Sequence, residues 1–224
     1  MNVYEEVEAF YQSYRGEKTV IGESAEGRKL YAMFVGTHTS PVGICQYAIH
    51  AREWICAYLA LWHIRRGLVR GGAWIVPLAN PDGALLVQEG AGSVSARRRG
   101  ELPCLDARAV DLNVNFDARW GTGASNVRMP SAANYVGIAP FSEPETRALR
   151  DFTCAVQPQF TISYHTKGEE IYWRFHQPFW RLRRDKRLAK ILSAATGYPL
   201  REAPLSAGGY KDWCVEKLRI PAFT

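Results

Sequence analysis

Residues 44–64 read ICQYAIHAREWICAYLALWHI. The stretch Cys45 to Ile49 is short and apolar, the composition of a buried strand. From Glu53 to Leu68 the residues Trp54, Tyr58, Leu61, Trp62 and Ile64 supply a helical apolar face, and Gly67 stands near its end. Strand passing directly into helix is the building step of an α/β fold, and the junction here carries His50-Ala51-Arg52-Glu53. In such folds ligands bind beyond the carboxyl ends of the strands, which is where His50 falls.

The same alternation extends in both directions. Val3 to Tyr14 reads as an amphipathic helix and Lys29 to Val35 as a strand ended by Gly36. Trp74 to Leu78 is a third strand, closed by the turn Asn80-Pro81-Asp82-Gly83. Ser142-Glu143-Pro144-Glu145 has a capping-box pattern and starts a helix running to about Thr153. Phe160 to Tyr164 is a strand ending at His165. A helix covers Phe179 to Ala195, stopped by Gly197 and Pro199; a shorter one covers Tyr210 to Lys217 after Gly208-Gly209. Ile220 to Thr224 begins a last strand. The pattern predicts an α/β layered fold with a largely parallel or mixed sheet.

With 224 residues, 47% hydrophobic and 12% aromatic, the chain has material for a core, which excludes a disordered chain; one domain over 1–224 is the simplest organisation. No run of about 18 uncharged apolar residues occurs, so no membrane helix and no membrane partner are expected. Met1-Asn2-Val3-Tyr4-Glu5-Glu6 lacks a basic segment followed by an apolar one, so a cytoplasmic location is expected. The net charge of +6 admits an acidic substrate or an anionic polymer, but no recognition motif for nucleic acid accompanies it. The basic residues gather in Arg97-Arg98-Arg99, read as a solvated loop, and between Arg181 and Lys190, read as the wet face of a helix. Five scattered cysteines, an odd number without a CxxC pair, argue for free thiols in a reducing compartment; Cys45, Cys56 and Cys154 read as core residues.

The chemistry lies in the histidines. A catalytic zinc needs about three protein ligands and an open position for water. His50 and Glu53, three apart across a strand-to-helix turn, can share one ion, and His165 at the end of another strand can complete the set. His63, inside a helical run, and His176 have no ligand-like company.

His50-Ala51-Arg52-Glu53-Trp54, Asn80-Pro81-Asp82-Gly83, Asp111-Leu112-Asn113, Ser142-Glu143-Pro144-Glu145-Thr146, Ser163-Tyr164-His165, Gly208-Gly209-Tyr210-Lys211-Asp212-Trp213 and Phe223-Thr224 follow one another in an order that resembles the zinc carboxypeptidase family. The resemblance covers nearly the whole chain from about Ile21-Gly22 onward. It implies a three-layer α/β/α sandwich around a twisted mixed sheet of eight strands. It also implies one zinc ion on His50, Glu53 and His165, with Arg52 and Asn113 contacting substrate. The arginine that stabilises the oxyanion is carried over to Arg108, with Arg97, Arg98 or Arg99 as alternatives.

Two departures bear on function. The family's Asn-Arg pair stands here as Asn113-Val114, and valine cannot make the bidentate contact to a substrate's terminal carboxylate. The branch resembling bacterial γ-D-glutamyl-L-diamino acid peptidases, which act on peptidoglycan stem peptides, fits better. Lys211 then pairs with a substrate carboxylate such as that of diaminopimelate, and Glu169 or Glu170 receives an amino group. The family also places a general-base glutamate about two residues beyond the position of Thr224, so a truncated member is expected, its last strand or helix incomplete. The alternatives are a conventional carboxypeptidase on peptide C-termini and a zinc-holding module that grips peptides without cleaving them.

Overall fold

The computed structural model describes residues 1–39, 41–67, 71–88, 110–131 and 133–224. Among these residues eight strands are present: β1 (Lys18–Glu23), β2 (Lys29–Gly36), β3 (Val42–Tyr47), β4 (Gly72–Val76), β5 (Phe160–Tyr164), β6 (Ile171–Tyr172), β7 (Leu200–Arg201) and β8 (Ala222–Phe223). Six of them form one mixed sheet in the order β1-β2-β4-β3-β5-β8; β6 and β7 form a separate parallel ribbon. Among the described residues the mixed sheet therefore has six strands rather than the expected eight, with β6 and β7 outside it. Thr224 bridges sheet and ribbon: its N–H donates to Tyr172 O at 2.9 Å, and Tyr172 N–H donates to Thr224 O at 2.8 Å.

The helices are α1 (Val3–Ser13), α2 (Ile55–Arg66), α3 (Pro81–Gln88), α4 (Pro144–Val156), α5 (Phe179–Thr196) and the one-turn α6 (Tyr210–Trp213), which runs on into a π turn at Cys214–Leu218. The sheet is covered on both faces because its strands alternate between two cores. Met33, Val35, Cys45 and Tyr47 pack with Val3 and Val7 of α1 and Leu61 and Ile64 of α2. Phe34, Ile44 and Trp74 point the other way, to Leu149 of α4 and to Tyr210 and Trp213. A third cluster joins Ala189 of α5 to Ile171, Trp173 and Phe223. Each large apolar side chain fully buried this way is worth roughly 1.5–3 kcal/mol, so two faces are needed to order a sheet of this size.

Several local expectations are corrected by packing. Asn80-Pro81-Asp82-Gly83 opens α3: Asn80 Oδ1 accepts from Gly83 N–H at 2.9 Å while its Nδ2 donates to Ile49 O at 3.1 Å. The capping box at Ser142 does not form, because Ser142 Oγ donates to Glu143 Oε1 and accepts from Asn115, while Pro144 opens the helix. Trp62 is 50% exposed, and the inner face of α2 is built by Cys56, Ala57, Ala60, Leu61 and Ile64. Cys154 is exposed rather than in the core; Cys45, Cys56 and Cys214 are buried, and all four are free thiols.

One buried carboxyl has a measurable consequence. Glu145 is fully buried at the start of α4, and its Oε1 accepts from Ala25 N–H at 2.8 Å. Burial pushes this carboxyl up to about 7; the Ala25 N–H pulls it down, and the nearby Asp82 and Glu143 carboxylates push it up again. A folded-state value above the unfolded 4.5 means that the fold favours the protonated acid. Stability is therefore unaffected below about pH 4.5 and declines between there and pH 7, by up to roughly 1.4 kcal/mol per pH unit. Glu145→Gln is expected to raise stability to urea at pH 8 and to change it little at pH 4.5; equal effects at both pH values would refute this.

Candidate metal centre

The pairing of β3 with β5 assembles the centre. They are adjacent and parallel, with Tyr47 opposite Tyr164, so both strands deliver their next residues to the same end of the sheet. The backbone turns sharply after β3: Ala48 has φ +53 and is fixed by Asn80 N–H donating to its carbonyl at 3.2 Å. His50 then caps a 3-10 turn, Ala51–Glu53, whose Glu53 N–H donates to His50 O at 3.0 Å. That turn aims the Glu53 carboxylate back at the imidazole.

Three donor atoms converge. His50 Nδ1 lies 3.1 Å from His165 Nδ1 and 3.3 Å from Glu53 Oε1, and His165 Nδ1 lies 2.8 Å from Glu53 Oε2. Ligands about 2.0–2.1 Å from a tetrahedral zinc stand about 3.3 Å apart, so the spacing and the nitrogen–oxygen donor set both fit such an ion. Burial opposes charge on Glu53, but contacts with His165 and His50 hold its carboxyl at about 2. Burial pulls His50 down, and Glu53 and Asp111 more than offset it, leaving it raised.

Behind His50 stands Asp111, whose Oδ1 is 3.7 Å from His50 Nε2. Its own oxygens are fixed by N–H groups of Asn113 at 3.0 Å and Asn134 at 3.3 Å. The opposite ring nitrogen therefore faces a carboxylate, the arrangement that orients a metal-ligating histidine. The motif Asp111-Leu112-Asn113 was visible in the sequence; the orienting role was not, because it depends on a contact 61 positions back to His50.

The three donors open into a cavity of about 600 Å³. Asn113, Val114, Lys211 and Asp212 line it. Gly208 makes the wall possible: it has φ +86, and a Cβ there would stand 2.5 Å from Val114 O. Lys211 sits buried on the floor, where it ion-pairs with Asp212 and donates to Arg174 O at 3.2 Å. Among the described lining residues only Lys167 and Lys211 are lysines or arginines. Arg52 is exposed and lies outside the lining. Arg97, Arg98, Arg99 and Arg108 lie outside the described residues.

Glu170 is not in this cavity. It lines a neighbouring one of about 540 Å³ that shares His165 and Thr224, together with Glu169. Its carboxylate is bonded by Arg201 Nε and Tyr172 Oη, both at 2.8 Å, which hold it below the usual carboxylate range. Glu216 accepts from Arg119 at 3.1 Å and is absent from both linings. His63, in α2, is bonded to Tyr47 Oη at 2.6 Å, a packed histidine as its position implied.

The chain resembles known proteins in sequence and in fold. The chain is 27% identical to γ-D-glutamyl-L-diamino acid endopeptidase 1 of Lysinibacillus sphaericus, over all of this chain and 63% of that protein. It therefore spans less than two thirds of that relative's length. The fold matches bovine thrombin-activatable fibrinolysis inhibitor in complex with tick carboxypeptidase inhibitor with a TM-score of 0.78 at 22% identity, covering 100% of this chain and 85% of that one. It matches murein-tripeptide amidase MpaA of Escherichia coli O157 with a TM-score of 0.68 at 25% identity, covering 96% and 85%. The sequence profile of the zinc carboxypeptidase family matches residues 4–224, and the chain belongs to that family.

Proposed function

We propose that this chain carries the metal-binding and substrate-binding parts of a zinc peptidase acting on γ-D-glutamyl-diamino acid peptides of the peptidoglycan stem type. The observation that carries the reading is the convergence of His50, Glu53 and His165 in the wall of one cavity. Zinc held by these three residues supplies a Lewis acid and a bound water of lowered pKa. Glu53 remains anionic at neutral pH and balances part of the ion's charge, and Asp111 keeps the His50 ring in the orientation that offers Nδ1.

The cavity's cations favour this substrate class. Val114 occupies the place from which an arginine would clamp a terminal carboxylate, and Lys211 is the cation on the cavity floor. Its ion pair with Asp212 gives the floor adjacent positive and negative charge. The end of a diaminopimelate side chain has the same pair in reverse, a carboxylate beside an ammonium group. Asn113 supplies an amide for hydrogen bonds at the rim, and Arg108 is assigned to the oxyanion. Glu170, committed to Arg201 and Tyr172, is released from amine recognition.

No carboxylate among the described cavity residues is available as general base: Glu53 belongs to the ligand set, and Asp212 is bonded to Lys211 and to Gly209 N–H. General-base catalysis contributes typically ~10²–10⁴-fold, so turnover depends on a base while binding does not.

Two measurements test these assignments. Elemental analysis of the purified chain is expected to find about one zinc per chain. His165→Ala should lose it, and Asp111→Asn should weaken zinc affinity by roughly 10–100-fold without loss of fold. A folded chain that takes up no zinc would end the metallopeptidase reading. Calorimetry should show the γ-D-glutamyl-diaminopimelate tripeptide binding more tightly than a peptide with an ordinary apolar C-terminal residue. Lys211→Met should erase a preference of about 10–100-fold, the size of one charge-assisted contact. Equal binding of the two peptides would return the substrate to conventional C-termini and leave the metal site untouched.

A further inference from the structure

The helix α5 has a face that the metal centre does not use. Its inner side is fixed by Asp185 and Ala189, both fully buried, and by Leu182, Leu188 and Leu192 packed against the third core cluster. At 100° per residue the opposite side presents Phe179, Trp180, Arg183, Arg187 and Lys190, with Lys186 at its edge. All six are exposed, Phe179 by 68% and Trp180 by 71%. Asp185, the helix's one acidic residue, points inward and is bonded by Arg184 Nε at 2.7 Å and Gln177 Nε2 at 3.1 Å. It leaves the outward charge unbalanced. Among the described residues none of Arg183, Lys186, Arg187 and Lys190 forms an ion pair.

Arg183, Arg187 and Lys190 follow at i, i+4 and i+7 and span about 10 Å of the axis, a length comparable to two sugar units. At the start of the row stand two exposed aromatic rings, with the Arg183 guanidinium 5.9 Å from the centre of the Phe179 ring. Cations in a row match repeated carboxylates or phosphates. Flat, exposed Trp and Phe rings match the C–H faces of pyranose sugars. The helix runs about 27 Å from these rings to Thr196, which lines the cavity that His165 shares.

We propose that the outward face of α5 binds an anionic glycan, holding the sugar strand while its peptide branch enters the metal cavity. The glycan's link to the peptide rests on the wall-peptide reading above; the binding face itself does not depend on metal. Phe179 and Trp180 are separated from Ile191, which is 60% exposed on the same side, by Arg183 and Arg187, so the face offers no contiguous apolar strip for a bilayer; the short convex row has no element to enter a nucleic-acid groove.

The test is equilibrium binding of the purified chain to soluble glycan strands bearing carboxylate stem peptides. Neutral dextran, inorganic polyphosphate, duplex DNA and phosphatidylglycerol vesicles are the comparison probes. The triple variant Arg183→Gln, Arg187→Gln, Lys190→Gln is expected to weaken glycan binding at least about tenfold and flatten its salt dependence. Arg15→Gln, Lys29→Gln, Arg65→Gln, which removes equal charge from exposed positions elsewhere, should weaken it less than about twofold. Phe179→Ala with Trp180→Ala should weaken glycan binding and leave polyphosphate binding unchanged. The proposal is overturned if both triple variants lose equally, if the ring variant has no effect, or if DNA or vesicles bind as tightly as glycan. Free tripeptide binding separates the two ideas. Its loss with glycan binding intact sinks the wall-peptide reading of the cavity; its survival without glycan binding sinks the α5 proposal.

Discussion

The parallel register of β3 against β5 is the constraint on which the site depends. Tyr47 faces Tyr164 across the ladder, and their rings stack with centroids 4.4 Å apart. A slip of one residue would turn every side chain of one strand to the other face. It would part Cys45 and Tyr47 from the first core and separate His50 from His165, which are 115 positions apart in sequence. Packing on both faces of the sheet and convergence of the ligands are therefore enforced by the same hydrogen-bond ladder.

The strands below the centre are less apolar than a parallel sheet needs. Gln46 on β3 is opposite Ser163 on β5, and Ile44 is opposite Thr161. Gln46, Ser163 and Thr161 are all buried. Side-chain polar groups without partners cost about 1–3 kcal/mol each, so this polar strip is not placed there for stability. It sits on the two strands that carry His50 and His165.

Much of the centre was legible because its signals are local. His50-Ala51-Arg52-Glu53 needs only a turn, and Phe160 to Tyr164 was bounded by its own composition. What sequence missed was set by distant partners. β1 went unread because Lys18–Glu23 has no fully buried residue and shows no alternation. Asn80-Pro81-Asp82-Gly83 has turn composition, yet Asn80 bonds both Gly83 and Ile49 and starts a helix instead. Glu170 looked free to receive an amine until Arg201, 31 residues on, was found bonded to it. Lys211, by contrast, was singled out through the motif that ends in Asp212-Trp213, and it lines the cavity of the three donors.

The exchange of hydrogen bonds between Thr224 and Tyr172 has a mechanical meaning. β8 pairs with β5 through only Ala222 and Phe223, and Phe223 belongs to the same cluster as Ile171, Trp173 and Ala189. The ribbon of β6 and β7, with α5 packed on it, thus meets the main sheet along an edge seam formed by Thr224, by Phe223 and by Ile162 of β5. Such a seam is where a fold opens before it unfolds. The lobe can part from the sheet as one cooperative unit at a free energy below that of global unfolding. Amide protons in β6 and β7 would then exchange with solvent together, and sooner than those of β3 and β4.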